Sequence, residues 1–204
     1  MKKIITLIFT AAALVFAGSN SPVATIHKPV GTVEYKSGGK DWRKAVPAIP
    51  LFSGDLIRTK ENSFVIVKFI ENSLLRVQEK SEITIRGDFA QNKEFSKNVY
   101  LQRGELGFKV QKRPNEKFEF STPTSVASIR GTEGLLISNP DSASDILILG
   151  SGTVEFKNNI SNVTVTVGAG QTAKSYTNGT INVKTSTREQ INQFYNSVSG
   201  GGGS

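Results

Sequence analysis

From Val30 to Val183 apolar and polar residues alternate in short runs separated by polar or glycine-containing turns, which predicts a succession of β-strands. Val65-x-Val67-x-Phe69, Leu75-x-Val77 and Ile83-x-Ile85 follow one another, and their centres Val67, Leu75 and Ile83 recur every eight residues. Further runs stand at Val99–Leu101, Leu106–Val110, Phe118–Phe120, Leu135–Ile137, Ile146–Ile148, Val154–Phe156 and Val163–Val167. Asn178-Gly179, between Lys174–Thr177 and Thr180–Val183, predicts a two-residue type I′ hairpin, because both positions tolerate positive φ. One segment has the helical period. Ser186-x-x-Glu189 reads as a capping box, and Ile191, Phe194, Tyr195 and Val198 share one face of a helix over residues 187–198. That stripe is expected to cover an open end or edge of the sheet. Residues 199–204 read as a Gly/Ser linker.

The pattern predicts an all-β fold: a single stacked, twisted β-helix-like or sandwich-like domain over residues 28–184 with a short C-terminal helix. An internal echo supports stacking. Gly31-Thr-Val-Glu-Tyr-Lys36 recurs as Gly152-Thr-Val-Glu-Phe-Lys157 and, more loosely, as Gly104-Glu-Leu-Gly-Phe-Lys109. Each begins with a glycine that can take a turn, and the unequal spacings exclude a simple tandem array. One stretch, Lys117 to Leu136, breaks its alternation at Thr122-Pro123 and again at Arg130-Gly131-Thr132. Pro123 suits a strand end and Gly131 a sharp turn, so the stretch is read as a corner of the fold. Arg130 is expected to be tied to backbone carbonyls or a carboxylate there.

The chain opens with Lys2-Lys3, an uncharged run from Ile4 to Ala17 and then small polar residues, which reads as a signal peptide over residues 1–17. Export to the periplasm or the cell exterior follows. The chain has no cysteine, so stability rests on packing rather than disulfides. Formal charge is +8, with acids and bases interleaved as on solvated strand faces. The densest basic stretch holds Arg103, Lys109, Lys112, Arg113 and Lys117 against Glu105 and Glu116. No nucleic-acid reading motif accompanies it, so an envelope protein or anionic envelope polymer is the expected partner.

Taken in order, Gly31-x-Val33, Trp42, Gly54-Asp55-x-Ile57-x-Thr59, Val65-x-Val67-x-Phe69, Leu101-x-x-Gly104-x-Leu106-x-Phe108, Phe120-x-Thr122-Pro123, Ile129-Arg130-Gly131-Thr132, Gly150-x-Gly152-x-Val154 and Gly168-x-Gly170-Gln171 resemble the FecR domain, the periplasmic sensor module of bacterial cell-surface signalling. The likeness runs from residue 29 to about residue 173. It implies an architectural role for Thr122, Pro123, Arg130, Gly131 and Thr132. Trp42 and Phe52 are read as core. Family members that control a sigma factor carry a cytoplasmic domain and a transmembrane helix ahead of the sensor, whereas only Met1-Lys2-Lys3 precedes the apolar run here. The resemblance therefore implies a free-standing exported member without the anti-sigma segment. It leaves open a role in cell-surface signalling and a structural role in a surface layer or envelope complex.

Catalysis finds little support. No Ser-His-Asp set is recognised around His27, and as the one histidine it cannot build a multi-histidine metal site. Asn139-Pro-Asp-Ser-Ala-Ser-Asp145 resembles a calcium loop, but Ala143 stands where a third oxygen is needed and no glutamate closes it, so it reads as a solvated turn. No catalytic, cofactor-binding or metal-ligating residue is assigned, and the binding residues are not identified. The chain is read as a non-catalytic binding module without a cofactor.

Overall fold

The structure is a computed structural model and describes residues 21–89, 95–114 and 116–199. Both the leader and the Gly/Ser end beyond Ser199 lie outside the described residues. The described residues form seventeen strands: β1 (Ala24–Val30), β2 (Val33–Lys36), β3 (Arg43–Lys44), β4 (Pro50–Leu51), β5 (Leu56–Thr59), β6 (Phe64–Phe69), β7 (Leu74–Val77), β8 (Glu82–Phe89), β9 (Phe95–Lys109), β10 (Glu116–Ser121), β11 (Ser125–Ile129), β12 (Glu133–Asn139), β13 (Ser144–Ser151), β14 (Thr153–Asn158), β15 (Thr164–Gly168), β16 (Gln171–Tyr176) and β17 (Ile181–Thr185). The α-helix α1 (Arg188–Ser199) follows.

The strands form one hydrogen-bonded sheet that folds over into two layers, the sandwich-like alternative of the expected fold. The first layer runs β4-β1-β6-β7-β9-β12-β13-β16-β17. The second runs β3-β2-β5-β8-β9-β10-β11-β14-β15. Every pairing is antiparallel except β9 with β10. The inner faces meet in one core, where Phe69 of the first layer stands 5.1 Å from Phe118 of the second, and Phe108 stands 4.7 Å from Phe120. Each fully buried side chain of this size contributes about 1.5–3 kcal/mol.

The runs Val99–Leu101 and Leu106–Val110, predicted as separate strands, belong to the single strand β9. Its first part pairs in the second layer through Arg103, and from Gly104 onward it pairs in the first. Gly104 is the crossing point. The other echo glycines also stand where the chain changes layer: Gly31 between β1 and β2, and Gly152 between β13 and β14. All three have positive φ, +74°, +97° and +80° for Gly31, Gly104 and Gly152, which side chains disfavour. At two of these corners the next residue donates its N–H to a serine opening a neighbouring strand: Thr32 to Ser63 Oγ at 2.8 Å and Glu105 to Ser81 Oγ at 2.9 Å. The repeated hexapeptide therefore marks corners.

On the outer face of the second layer the registers align Lys44, Glu34, Arg58, Glu82 and Arg103 across β3, β2, β5, β8 and β9. Charge alternates along this row, and Arg58 Nε reaches Glu34 Oε2 at 2.7 Å. Trp42 and Phe52, expected in the core, are only half-buried. Trp42 stacks on the Arg58 guanidinium at 4.0 Å, a contact that needs an outer face.

The helix begins one residue late and lies elsewhere than expected. Its capping box is Thr187-x-x-Gln190: Thr187 N–H donates to Gln190 Oε1 at 2.9 Å and Gln190 N–H to Thr187 Oγ1 at 3.3 Å. Ser186 instead bonds Thr172 Oγ1 at 2.8 Å. Rather than an end or edge of the sheet, α1 covers the outer face of the first layer over β9, β12 and β13. Phe194 is buried there against Leu135 and Ile148, with Ile137, Ile146 and Val198 around it, while Tyr195 is exposed. The continuous apolar runs of β12 and β13 follow, since Leu136, Leu147 and Leu149 face the inner core while Leu135 and Ile148 face the helix. A Cβ at Gly150 would lie 2.2 Å from the Phe194 ring, so only glycine admits this close approach.

The Asn178-Gly179 turn joins β16 and β17, but Gly179 alone has positive φ, at +91°. Gly179 N–H donates to Tyr176 O at 3.0 Å, and Tyr176 N–H to Thr180 O at 2.9 Å. This is a type I turn followed by a glycine bulge, a three-residue loop in place of the expected I′ pair.

Candidate functional site

The interrupted stretch resolves into β10, a turn, and β11, which was not predicted because its inward residues Ser125 and Ala127 are small. Thr122 is the turn's anchor. Its hydroxyl oxygen accepts N–H bonds from Thr124 at 3.2 Å and Ser125 at 2.9 Å, and the hydroxyl donates to the Asp145 carboxylate. Ser125 Oγ donates to the same carboxylate oxygen at 2.7 Å. Asp145, 1% exposed on β13, thus clasps the second layer's corner to the first layer. Beside it Asn158 donates to Ser175 Oγ and Tyr176 O, both at 2.8 Å. The Thr-Pro element is architectural.

The Asp145 carboxylate is therefore engaged inside the protein. Pro140–Ser142 form a 3-10 turn stopped by Ala143 in the left-handed region, in keeping with a turn. Among the described residues no group of acids or histidines could hold a metal ion. Thr132 is buried and Gly131 has φ +69°, as a corner requires. Arg130 departs from expectation: it is exposed and makes no hydrogen bond or ion pair among the described residues. The corner is closed by backbone bonds such as Val110 N–H to Thr132 O at 2.9 Å, so the guanidinium is not needed.

The basic stretch does not form one patch. Arg103 lies 3.5 Å from Glu82, and Lys109 Nζ lies 2.6 Å from Glu133. Lys112 and Arg113 are exposed, and Lys112 packs beside Gly131, next to Arg130. The side chains of Glu116 and Lys117 lie outside those described.

A concavity of about 1090 Å³ opens where α1 meets the β9 crossing point. Its walls come from the β7–β8 corner, from Arg103 to Glu105, from the end of β12, and from α1. The lining carries the amides Gln78, Asn139, Asn192, Gln193 and Asn196 and the carboxylates Glu79, Glu105, Asp141 and Glu189, with Ile137 and Pro140 among them. Its cations, Lys80 and Arg103, are already matched to Glu61 at 2.8 Å and Glu82 at 3.5 Å. Glu105 accepts a bond from Gln193 Nε2 at 3.1 Å. Burial raises the Glu105 carboxyl above the ordinary glutamate value; the Gln193 N–H opposes that, and the Glu79 charge adds to it. Periodicity could not locate this cleft, because α1 and β7 are far apart in the chain. Its one trace is the run of amides on the polar face of the helix.

Residues 55–155 match the family model described as FecR protein. Two crystal structures of a candidate anti-sigma factor from Parabacteroides distasonis ATCC 8503 share the fold, with TM-scores of 0.58 and 0.57 at 13% and 12% identity. Each likeness covers 67% of this chain and 62% of the solved chain. No curated protein matches the chain.

Proposed function

We propose that this chain, whose residues 55–155 form a FecR domain, is a non-catalytic binding module of the bacterial cell envelope and a component of a cell-surface signalling system. The cleft between α1 and the β9 crossing point carries the reading, being a broad concavity with many side chains suited to hydrogen bonding. Its polar side chains are mainly amides, carboxylates and already paired cations, a set that recognises polar groups. Its uncompensated carboxylates favour a protein segment over an anionic polymer. Export through residues 1–17 would deliver the domain to the periplasm or exterior. No helix of the described residues is long and apolar enough to cross a membrane, which says nothing of a β-barrel.

Photo-crosslinking tests the reading. A benzophenone amino acid at Asn192 or Asn196 in the producing cell is expected to give a protease-sensitive adduct, whereas one at Lys44 gives none. Adducts at Lys44 alone, or protease-resistant polymer at the cleft, would overturn it.

A further inference from the structure

Each layer of the sandwich has two edges, and they are not alike. On one side stand β3 and β4, two residues each, bearing Arg43, Lys44 and Pro50, the features that keep an edge from pairing. On the other side the first layer ends in β17, which carries Lys184, and the second layer ends in β15, Thr-Val-Thr-Val-Gly. No charged residue or proline occurs from Asn158 to Ala173, although the chain carries +8 overall. Ile160 and Val163, which lead into β15, are 61% and 49% exposed.

We propose that the free edge of β15 pairs antiparallel with β15 of a second copy of this chain, continuing the second layer through a two-fold axis. The hydrogen bond from Asn158 N–H to Val163 O, 2.9 Å, turns Val163 toward β14. By the alternation of an antiparallel ladder Val165 and Val167 turn the same way, and the N–H and C=O groups of Thr164 and Thr166 face the open side. The next outward N–H, that of Gly168, is taken by Gln171 Oε1 at 2.7 Å, so the free edge is two threonines long and capped.

This layout is self-complementary. With the axis at Val165, Thr164 meets Thr166 of the other copy twice, and each pair exchanges two backbone bonds. Val163 then comes opposite Val167 of the other copy, which covers its exposed face. The absence of charge selects the occupant: two copies with the same positive charge repel wherever lysines and arginines meet, and this edge lets them approach without such a meeting.

Sedimentation equilibrium of the purified protein reads the outcome. A concentration-dependent rise from the monomer mass to twice that mass is expected. The double variant Thr164→Lys/Thr166→Lys sets like charges directly opposite and should weaken the dimer about tenfold or more. So should Thr164→Glu/Thr166→Glu, while an equimolar mixture of the two should restore association. Both threonines are exposed, so circular dichroism of each variant should match the parent. A parent that stays monomeric, a dimer indifferent to the lysine variant, or a mixture that does not associate would each overturn the proposal. So would docking of an unrelated strand peptide at β15 with no self-association.

Discussion

Glu71, in the turn after β6, reaches across the sandwich to Lys97 of β9, with Oε2 and Nζ 2.7 Å apart and side chains 4% and 3% exposed. No other hydrogen-bond donor among the described residues serves the Glu71 carboxylate. The two layers are therefore joined at one end by a buried ion pair. Breaking such a pair from one side strands the other charge and costs about 3–5 kcal/mol, whereas replacing both partners by apolar residues is often neutral. Lys97→Met should lose that amount in urea unfolding. Adding Glu71→Leu to Lys97→Met should recover the part of the loss due to the stranded Glu71 carboxylate, and a double variant as unstable as the single one would refute the account.

The clasp at Asp145 separates two residues of the motif. Asp145→Ala leaves the hydroxyls of Thr122 and Ser125 buried without an acceptor and should cost about 1–3 kcal/mol. Arg130→Ala, at an exposed position, should stay within about 0.5 kcal/mol of the parent. Thermal melts of the two variants measured together test this, and equal losses would contradict it.

Gly104 has φ +97°, and a Cβ there would lie 2.1 Å from Ser81 Oγ. Gly104→Ala should therefore destabilise by more than about 1 kcal/mol, from backbone strain plus displacement of Ser81. Adding Ser81→Gly should not rescue it, because the Ser81 Cα would still lie 2.6 Å from the new Cβ and the Glu105 N–H would lose its acceptor. Denaturant midpoints of the single and double variants provide the check.

Glu105 makes stability depend on pH. Because its folded-state carboxyl titrates above the ordinary 4.5, the unfolded chain releases the proton first as pH rises. The folded state then binds more protons, and stability falls as pH climbs from the ordinary glutamate range through the raised value. Glu105→Gln removes this loss. Its melting temperature should equal the parent's at about pH 4 and exceed it at about pH 7. A gap that is constant with pH would place the effect elsewhere.

The periodicity of apolar positions by itself determined that the chain is mostly strands, where most of them lie, and that residues near 187–198 form a helix. It did so because a strand with one face on a core must alternate and an amphipathic helix must show its 3.6-residue period. The recurring glycine hexapeptide likewise marked corners, since few residues other than glycine take positive φ cheaply. Alternation reports that a face is buried, not what buries it. Leu135 and Leu136 look alike in sequence, and only the placement of α1 decides that one faces the helix and the other the core. Asp145 looked like part of a solvated turn until the fold brought Thr122 and Ser125 to it, and Arg130 looked necessary until backbone bonds were seen to close its corner. Buried polar groups are satisfied by partners remote in the chain, so Glu71 with Lys97 and the cleft at Glu105 belong to tertiary structure alone.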